Sequence, residues 1–316
     1  MLEERCWSYA EQKAATLRTQ NAQRLLDQLG FKVEITGELD KPTQEAVAVY
    51  QIRRDLTIDG LINDEVIDQL RSEVPETHLC DSLAHYSLGP HDWRTVSLQT
   101  MDAILAVTEC NNALREYPHV VRFQIQYARA LAAANRAEEA LLRARELAQN
   151  QHPAAELLIG QLHASGELSE SGKPDYANAM PMFTLAAERG YALAQHFLGS
   201  VYETGKKGGS KSVSRDLTAA LAWYVKAGSQ GYLPAQLDAG RMYAAGKGAK
   251  RNYDQALRWY RRAANLGNAQ AQYHVAEMYE RGRGVKRDKA QALDWYVKAA
   301  AQGHTESAAK VKRLSR

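Results

Sequence analysis

Cysteine is scarce in this chain of 316 residues: there are three, Cys6, Cys80 and Cys110. They form no Cys-x-x-Cys pair, and the histidines form no His-x-x-x-His pair. A structural or catalytic zinc framework is therefore not expected. The nearest approach to a ligand cluster is His78, Cys80, His85 and His91, in a predicted linker around Pro75 and Gly89-Pro90. No apolar run approaches the roughly 18 residues of a membrane span. A Gly-x-Ser-x-Gly elbow and a phosphate-cradling glycine loop are both missing. No aromatic-and-basic motif points to nucleic acid. Carboxylates are plentiful, but no pair sits in a recognisable catalytic setting. The expectation is a non-catalytic protein with no catalytic residues, no metal and no cofactor.

What remains is an ordinary folded composition, 45% hydrophobic and 24% charged. The net charge of +3 is unevenly spread: residues 1–80 hold 9 basic and 15 acidic side chains, and residues 241–316 hold 17 and 6. The far end is cationic, which suits solvated helix faces or an acidic partner. The opening Met1-Leu-Glu-Glu-Arg-Cys-Trp is too charged for a secretory signal. Either the protein is intracellular, or the chain starts at a mature end. Cys6 and Cys80 bracket the first domain. They are either a disulfide between its ends in an oxidising compartment or two reduced thiols, and Cys110 reads as a buried apolar filler.

Internal repeats dominate the second half. Tyr191-Ala-Leu-Ala-Gln, Tyr232-Leu-Pro-Ala-Gln and Asn268-Ala-Gln-Ala-Gln open similar segments. Ala220-Leu-Ala-Trp-Tyr, Ala256-Leu-Arg-Trp-Tyr and Ala292-Leu-Asp-Trp-Tyr follow them, and Gly190, Gly231, Gly267 and Gly303 close the units. The period is about 36 residues, stretched where Lys206–Ser212 is inserted. Each unit reads as two helices with a left-handed glycine stop. Small residues such as Ala194, Gly199, Ala235 and Gly240 mark close helix approach, and Trp223, Trp259 and Trp295 fill the space between units. One unit cannot bury its apolar face alone, so the units stack and leave an extended surface.

These residues resemble the Sel-one-like repeat, a subclass of the tetratricopeptide superfamily, over four units from about 154 to 303. The first unit departs: His163 replaces tyrosine, Met182 replaces tryptophan, and Pro181 is expected to kink or shorten its second helix. The resemblance implies a protein-binding array without chemistry of its own. By register it places His196, Ser200, Glu203, Leu237, Arg241, Tyr273, Glu277, Glu280 and Arg281 on the concave, partner-facing side. Upstream, 108–150 resembles one tetratricopeptide helix pair with a turn at Asn135-Arg136. Residues 304–316 form a capping helix.

Residues 19–71 differ. Asn21–Leu29, Pro42–Arg54 and Asn63–Leu70 are predicted helices, with Ala46, Val49 and Tyr50 inward on the second. Thr36-Gly37-Glu38-Leu39-Asp40 and Asp59-Gly60-Leu61-Ile62-Asn63 repeat one loop: a glycine turn, an apolar anchor and a helix cap. The segment resembles the peptidoglycan-binding-like domain, departing from it at Thr36 and Asp40. That resemblance implies a wall-binding groove at Gly37, Leu39, Asp40, Thr43, Tyr50 and Gln51.

The expected fold is therefore all-α. A three-helix peptidoglycan-binding-like domain (1–75) and a helical connector (76–107) precede the tetratricopeptide-like pair (108–150). A right-handed α-solenoid (151–303) and its cap (304–316) follow. The expected function is an envelope adaptor that binds peptidoglycan at one end and a protein at the other. It is periplasmic if a signal was removed. The alternative is an intracellular repeat scaffold in which the small domain is a spacer.

Overall fold

The computed structural model describes residues 15–16, 18–54, 56–74, 79–84, 101–207 and 212–314. Their regular structure is helical, apart from one isolated bridge between Lys206 and Val213. They divide into two compact units, the first ending at Asn150 and the second taking up the chain at Gln151.

The first unit opens with α1 (18–28), α2 (Lys41–Arg53) and α3 (Asp64–Glu73). Asp40 caps α2 by accepting from the Thr43 amide at 2.9 Å, and Asn63 caps α3 by accepting from Val66 at 2.9 Å. Leu26, Val47, Tyr50, Val66 and Leu70 form the core. Val49 faces outward, 41% exposed, against the inward position expected for it. The buried seam of α2 runs Thr43, Ala46, Val47, Tyr50 and Gln51, which puts Val49 on the far side of a 3.6-residue turn.

Four more helices follow in this unit: α4 (Leu79–Ala84), α5 (Ala103–Glu116), α6 (Val121–Ala133) and α7 (Ala137–Gln149). The span expected as one helix pair thus belongs to three helices. α5 stops at Tyr117, which precedes Pro118 and so is pushed out of the helical region. The turn at Asn135-Arg136 is where expected, with Asn135 at φ 58°. Cys80 of α4 is bonded to Cys110 of α5. This corrects both readings offered for Cys80, a bridge to Cys6 or a reduced thiol, and the reading of Cys110 as filler: α5 lies beside α4, so Cys110 is the thiol within reach. Cys6 itself lies outside the described residues, as do His78, His85 and His91.

The second unit is a row of helix pairs. They are α8 (Pro153–Ser165) with α9 (Tyr176–Glu188), α10 (Ala192–Thr204) with α11 (Leu217–Ser229), α12 (Leu233–Ala245) with α13 (Tyr253–Asn265), and α14 (Ala269–Arg281) with α15 (Lys289–Ala300). The final helix, α16 (Thr305–Leu314), covers the last pair. Each second helix begins at a side-chain cap: Asp175, Asp216, Asn252 and Asp288. Each pair ends at a glycine with φ between 85° and 93°, a region that costs other residues strain. Pro181 does not shorten α9, which keeps the thirteen residues of its neighbours. At that point the helix loses one amide donor and continues through.

Packing is set by a ring against a missing side chain. A Cβ on Gly199 would lie 2.8 Å from the Tyr224 ring, and one on Gly240 would lie 2.7 Å from Tyr260. Trp259 is buried against the preceding pair, as expected, while Trp223 and Trp295 are half-buried. The tyrosine after each tryptophan goes deeper: Tyr224 and Tyr296 are 2% and 0% exposed.

Candidate interaction surfaces

In the first unit two glutamines hold the two matching loops. Gln23 of α1 accepts from the Gly37 amide at 2.9 Å and donates to the Glu38 carbonyl at 3.0 Å and the Thr43 hydroxyl at 3.0 Å. Gln51 of α2 accepts from the Gly60 amide at 3.0 Å and donates to Asp59 at 2.7 Å. Four of the six expected groove residues are therefore interior. Thr43 and Gln51 hold loops, and the Tyr50 hydroxyl donates to Glu73 at 2.8 Å. Gly37 is buried beneath its loop, and Leu39 and Asp40 remain at the surface, half-buried. Hydrogen bonds from Thr43 hold the Asp40 carboxyl below its ordinary range. Ile35 and Leu61, one in each loop region, are exposed apolar neighbours in sequence that register alone had not singled out. Gln23 was missed too, because nothing in its helix distinguishes it from a surface glutamine.

On the first helices of the array, the expected partner-facing residues gather into two charged groups. Arg241 of α12 grips Glu203 of α10 through two bonds, 2.8 and 2.7 Å, and also Asp238 at 2.9 Å. His196 reaches Asp238 at 2.9 Å, and Tyr224 donates to Glu203 at 3.1 Å. The Arg241 hydrogen bonds hold Glu203 below the usual carboxylate range. Further along, Glu277 pairs with Arg281 at 2.8 Å. Glu280 accepts from Tyr296 at 2.7 Å and from Lys310 of α16 at 2.8 Å, and it also meets Arg313. Burial pushes the Glu280 carboxyl up, but the Lys310 and Tyr296 bonds outweigh it and hold it low. The Tyr273 ring packs against Tyr296 and His304, Leu237 packs on the apolar core, and Ser200 is half-buried. Asp238, His274 and Lys310 belong to the same surface and were missed. Their charge was visible, but which helix they would face was not.

A buried amide ladder ties each pair to the one before. Gln195, Gln236 and Gln272 donate to the carbonyls of Ala187, Gly228 and Ala264, each eight residues earlier. Gln230 and Gln302 then donate back to Gln195 and Gln272 at 2.7 and 2.8 Å. At the equivalent place in the third repeat stands Leu266, 52% exposed, and the buried Oε1 of Gln236 has no partner among the described residues. Leu266→Gln should supply the donor and stabilise the chain by about 1 kcal/mol, raising its melting temperature by roughly 2–4 °C. Thermal melts of Leu266→Gln against Leu266→Ala check this. Equal melting of the two would show that the orphan oxygen costs nothing.

Among the described residues no three His, Cys, Asp or Glu side chains gather as metal ligands, and no helix is long and apolar enough to cross a membrane. Two-helix units in series, locked by a ladder and carrying a charged face on their first helices, define an α-solenoid repeat protein. The Sel1 repeat family matches residues 153–191, 192–232, 233–268 and 269–304, and the peptidoglycan binding domain family matches residues 18–70. A crystallised Sel1 repeat protein from Oxalobacter formigenes is 32% identical, with a TM-score of 0.52. The alignment covers 58% of this chain and 72% of that one. The chain belongs to the Sel1 repeat proteins. A protective antigen of uropathogenic Escherichia coli strains with an SLR fold shares the architecture, at 24% identity and a TM-score of 0.51 over 80% of this chain and 52% of that one. A search of the curated proteins found no match.

Proposed function

We propose that the protein is a non-catalytic scaffold of the bacterial cell envelope, which holds peptidoglycan through its first domain and a protein partner through its repeats. The observation that carries this reading is the presence, on one chain, of a peptidoglycan binding domain and four Sel1 repeats. The Cys80–Cys110 disulfide supports it, since such bonds persist in oxidising compartments. Wall contact falls to the surface side chains of the first glycine loop, Leu39 and Asp40, together with the exposed Ile35 and Leu61. The full chain should be retained on purified insoluble peptidoglycan. Leu39→Asp should weaken retention roughly tenfold, the effect of losing about 1.4 kcal/mol of contact.

One observation favours a second reading, an intracellular scaffold with the small domain as a spacer: Thr43, Tyr50 and Gln51 are committed to the interior. Equal passage of the full chain and Leu39→Asp through the wall fraction would favour that reading.

A further inference from the structure

In two of the four repeats, the tyrosine that packs on the small residue of the first helix is hydrogen-bonded to the residue one turn further along that helix. In the second repeat these are Tyr224 and Glu203, joined at 3.1 Å, and in the fourth they are Tyr296 and Glu280, joined at 2.7 Å. The first repeat has neither group: Phe183 stands for the tyrosine and Ala164 for the glutamate. The third repeat alone is mismatched. It keeps the hydroxyl, Tyr260, but carries Ala244 where the carboxylate belongs.

The gap is a pocket of about 70 Å³ lined by Ala244, Tyr260, His274, Glu277, Arg281 and Arg283. A water needs only about 10–15 Å³ of such volume, so the pocket has room for a carboxylate group. Tyr260 is only 5% exposed, and its hydroxyl meets no hydrogen-bond partner among the described residues. Burial and the nearby Glu277 and Asp238 push its pKa up, with Arg241 opposing, so it stays protonated and able to donate. Arg281 and Arg283 flank it, and Glu277 stands at the helix position that Arg241 holds beside the second repeat's site. Arg283 lies over the Tyr253 ring, 5.3 Å from its centroid, without a carboxylate partner among the described residues. Glu277 is the opposing charge; Arg281 pairs with it at 2.8 Å, and the His274 ring lies 3.7 Å from it.

We propose that this pocket receives the side-chain carboxylate of a glutamate from a protein partner lying along the first helices, in the place that Glu203 and Glu280 fill in the neighbouring repeats. The proposal rests on the reading of the array as a partner-binding surface. The chain supplies its own precedent for the occupant: a glutamate carboxylate under the hydroxyl of a buried tyrosine, met by a cation from the helix two further along.

The test uses the full chain with isotopically labelled tyrosine and arginine side chains, observed by NMR. The probe is N-acetyl-glutamate α-methylamide, which carries only the side-chain carboxylate. Its neutral glutamine analogue and N-acetylglycine, a terminal carboxylate, are the comparison arms. Tyr260, Arg281 and Arg283 signals should shift saturably with the glutamate probe alone. Tyr260→Phe should weaken binding about tenfold, the usual worth of one hydrogen bond to a charged group. Ala244→Glu, which rebuilds the pair of the second and fourth repeats, should abolish binding while melting no lower than the parent. No shift with the glutamate probe overturns the proposal. So does equal binding of the glutamine analogue or N-acetylglycine, or unchanged affinity in Ala244→Glu. Capture of a partner that survives Ala244→Glu would also overturn it while leaving the scaffold reading intact. Probe binding in a chain that captures no partner would instead count against the scaffold reading.

Discussion

Arg189→Met should destabilise the repeat array by about 3 kcal/mol, and adding Glu156→Gln to the same chain should restore most of the loss. The reason lies in the first rung of the amide ladder. Glu156 occupies the place of Gln195, Gln236 and Gln272, and Arg189 that of Gln230 and Gln302. Glu156 is 1% exposed, and Arg189 covers it with contacts of 2.8 and 3.1 Å to its two oxygens. A carboxylate cannot donate to a carbonyl as the glutamines do, so this rung depends on the guanidinium. Methionine fills similar space but leaves a buried charge alone, the costly case for a broken ion pair. Glutamine at 156 removes the charge and regains the donor.

The dependence on pH follows from the same burial. Desolvation already holds the Glu156 carboxyl above its ordinary 4.5, with Arg189 opposing. Removing Arg189 lifts it further. An acid whose folded value is raised favours the folded state where it is protonated, and that advantage is lost as pH rises through the folded value. Arg189→Met should therefore recover stability relative to the parent as neutral solution is acidified towards 4.5. Urea titrations of both chains at several pH values read this directly. A deficit that stays constant with pH would mean that the arginine acts through packing alone.

The array was legible because its periodicity is written in residue size. Ala, Gly and aromatic residues recur in step, and the closing glycines mark each boundary. What periodicity could not supply was the order of depth between adjacent rings. Trp223 and Tyr224 follow each other in sequence, and the gap at Gly199 admits the tyrosine to the core while the tryptophan stays half-buried. Cross-helix pairing was hidden for a similar reason. Arg241 was expected on the partner-facing side, but its partner Glu203 sits on α10, and that juxtaposition exists only once the pairs stack. The disulfide was misassigned because spacing along the chain does not report proximity, and the six-residue α4 was needed to bring Cys80 to Cys110. In the small domain the loop device was visible as two matching glycine turns. The buried Thr43, Tyr50 and Gln51 were placed among the groove residues, since a polar residue near a loop looks the same in sequence whether it faces solvent or core.

That ambiguity gives the second large effect. Gln51→Leu should cost about 3 kcal/mol and unfold the domain of residues 18–70 before the repeats melt. Leucine nearly matches the volume, so packing is not the issue. The loss is in the hydrogen bonds: the Asp59 and Gly60 amides lose their acceptor, and the Asp59 carboxylate and Leu61 carbonyl lose a donor. Gly60 is buried, so its amide has no water to turn to. Hydrogen exchange on the full chain should show residues 56–63 opening first, with wall retention falling only as the domain unfolds. If Gln51 contacted the wall, Gln51→Leu would lose retention with its amides still protected. Gln23→Leu should reproduce the effect at the other loop, where the Gly37 amide and Glu38 carbonyl depend on it in the same way. Matching losses at two positions far apart in sequence would identify both glutamines as supports of the loops, and would leave Leu39 and its exposed neighbours to meet the ligand.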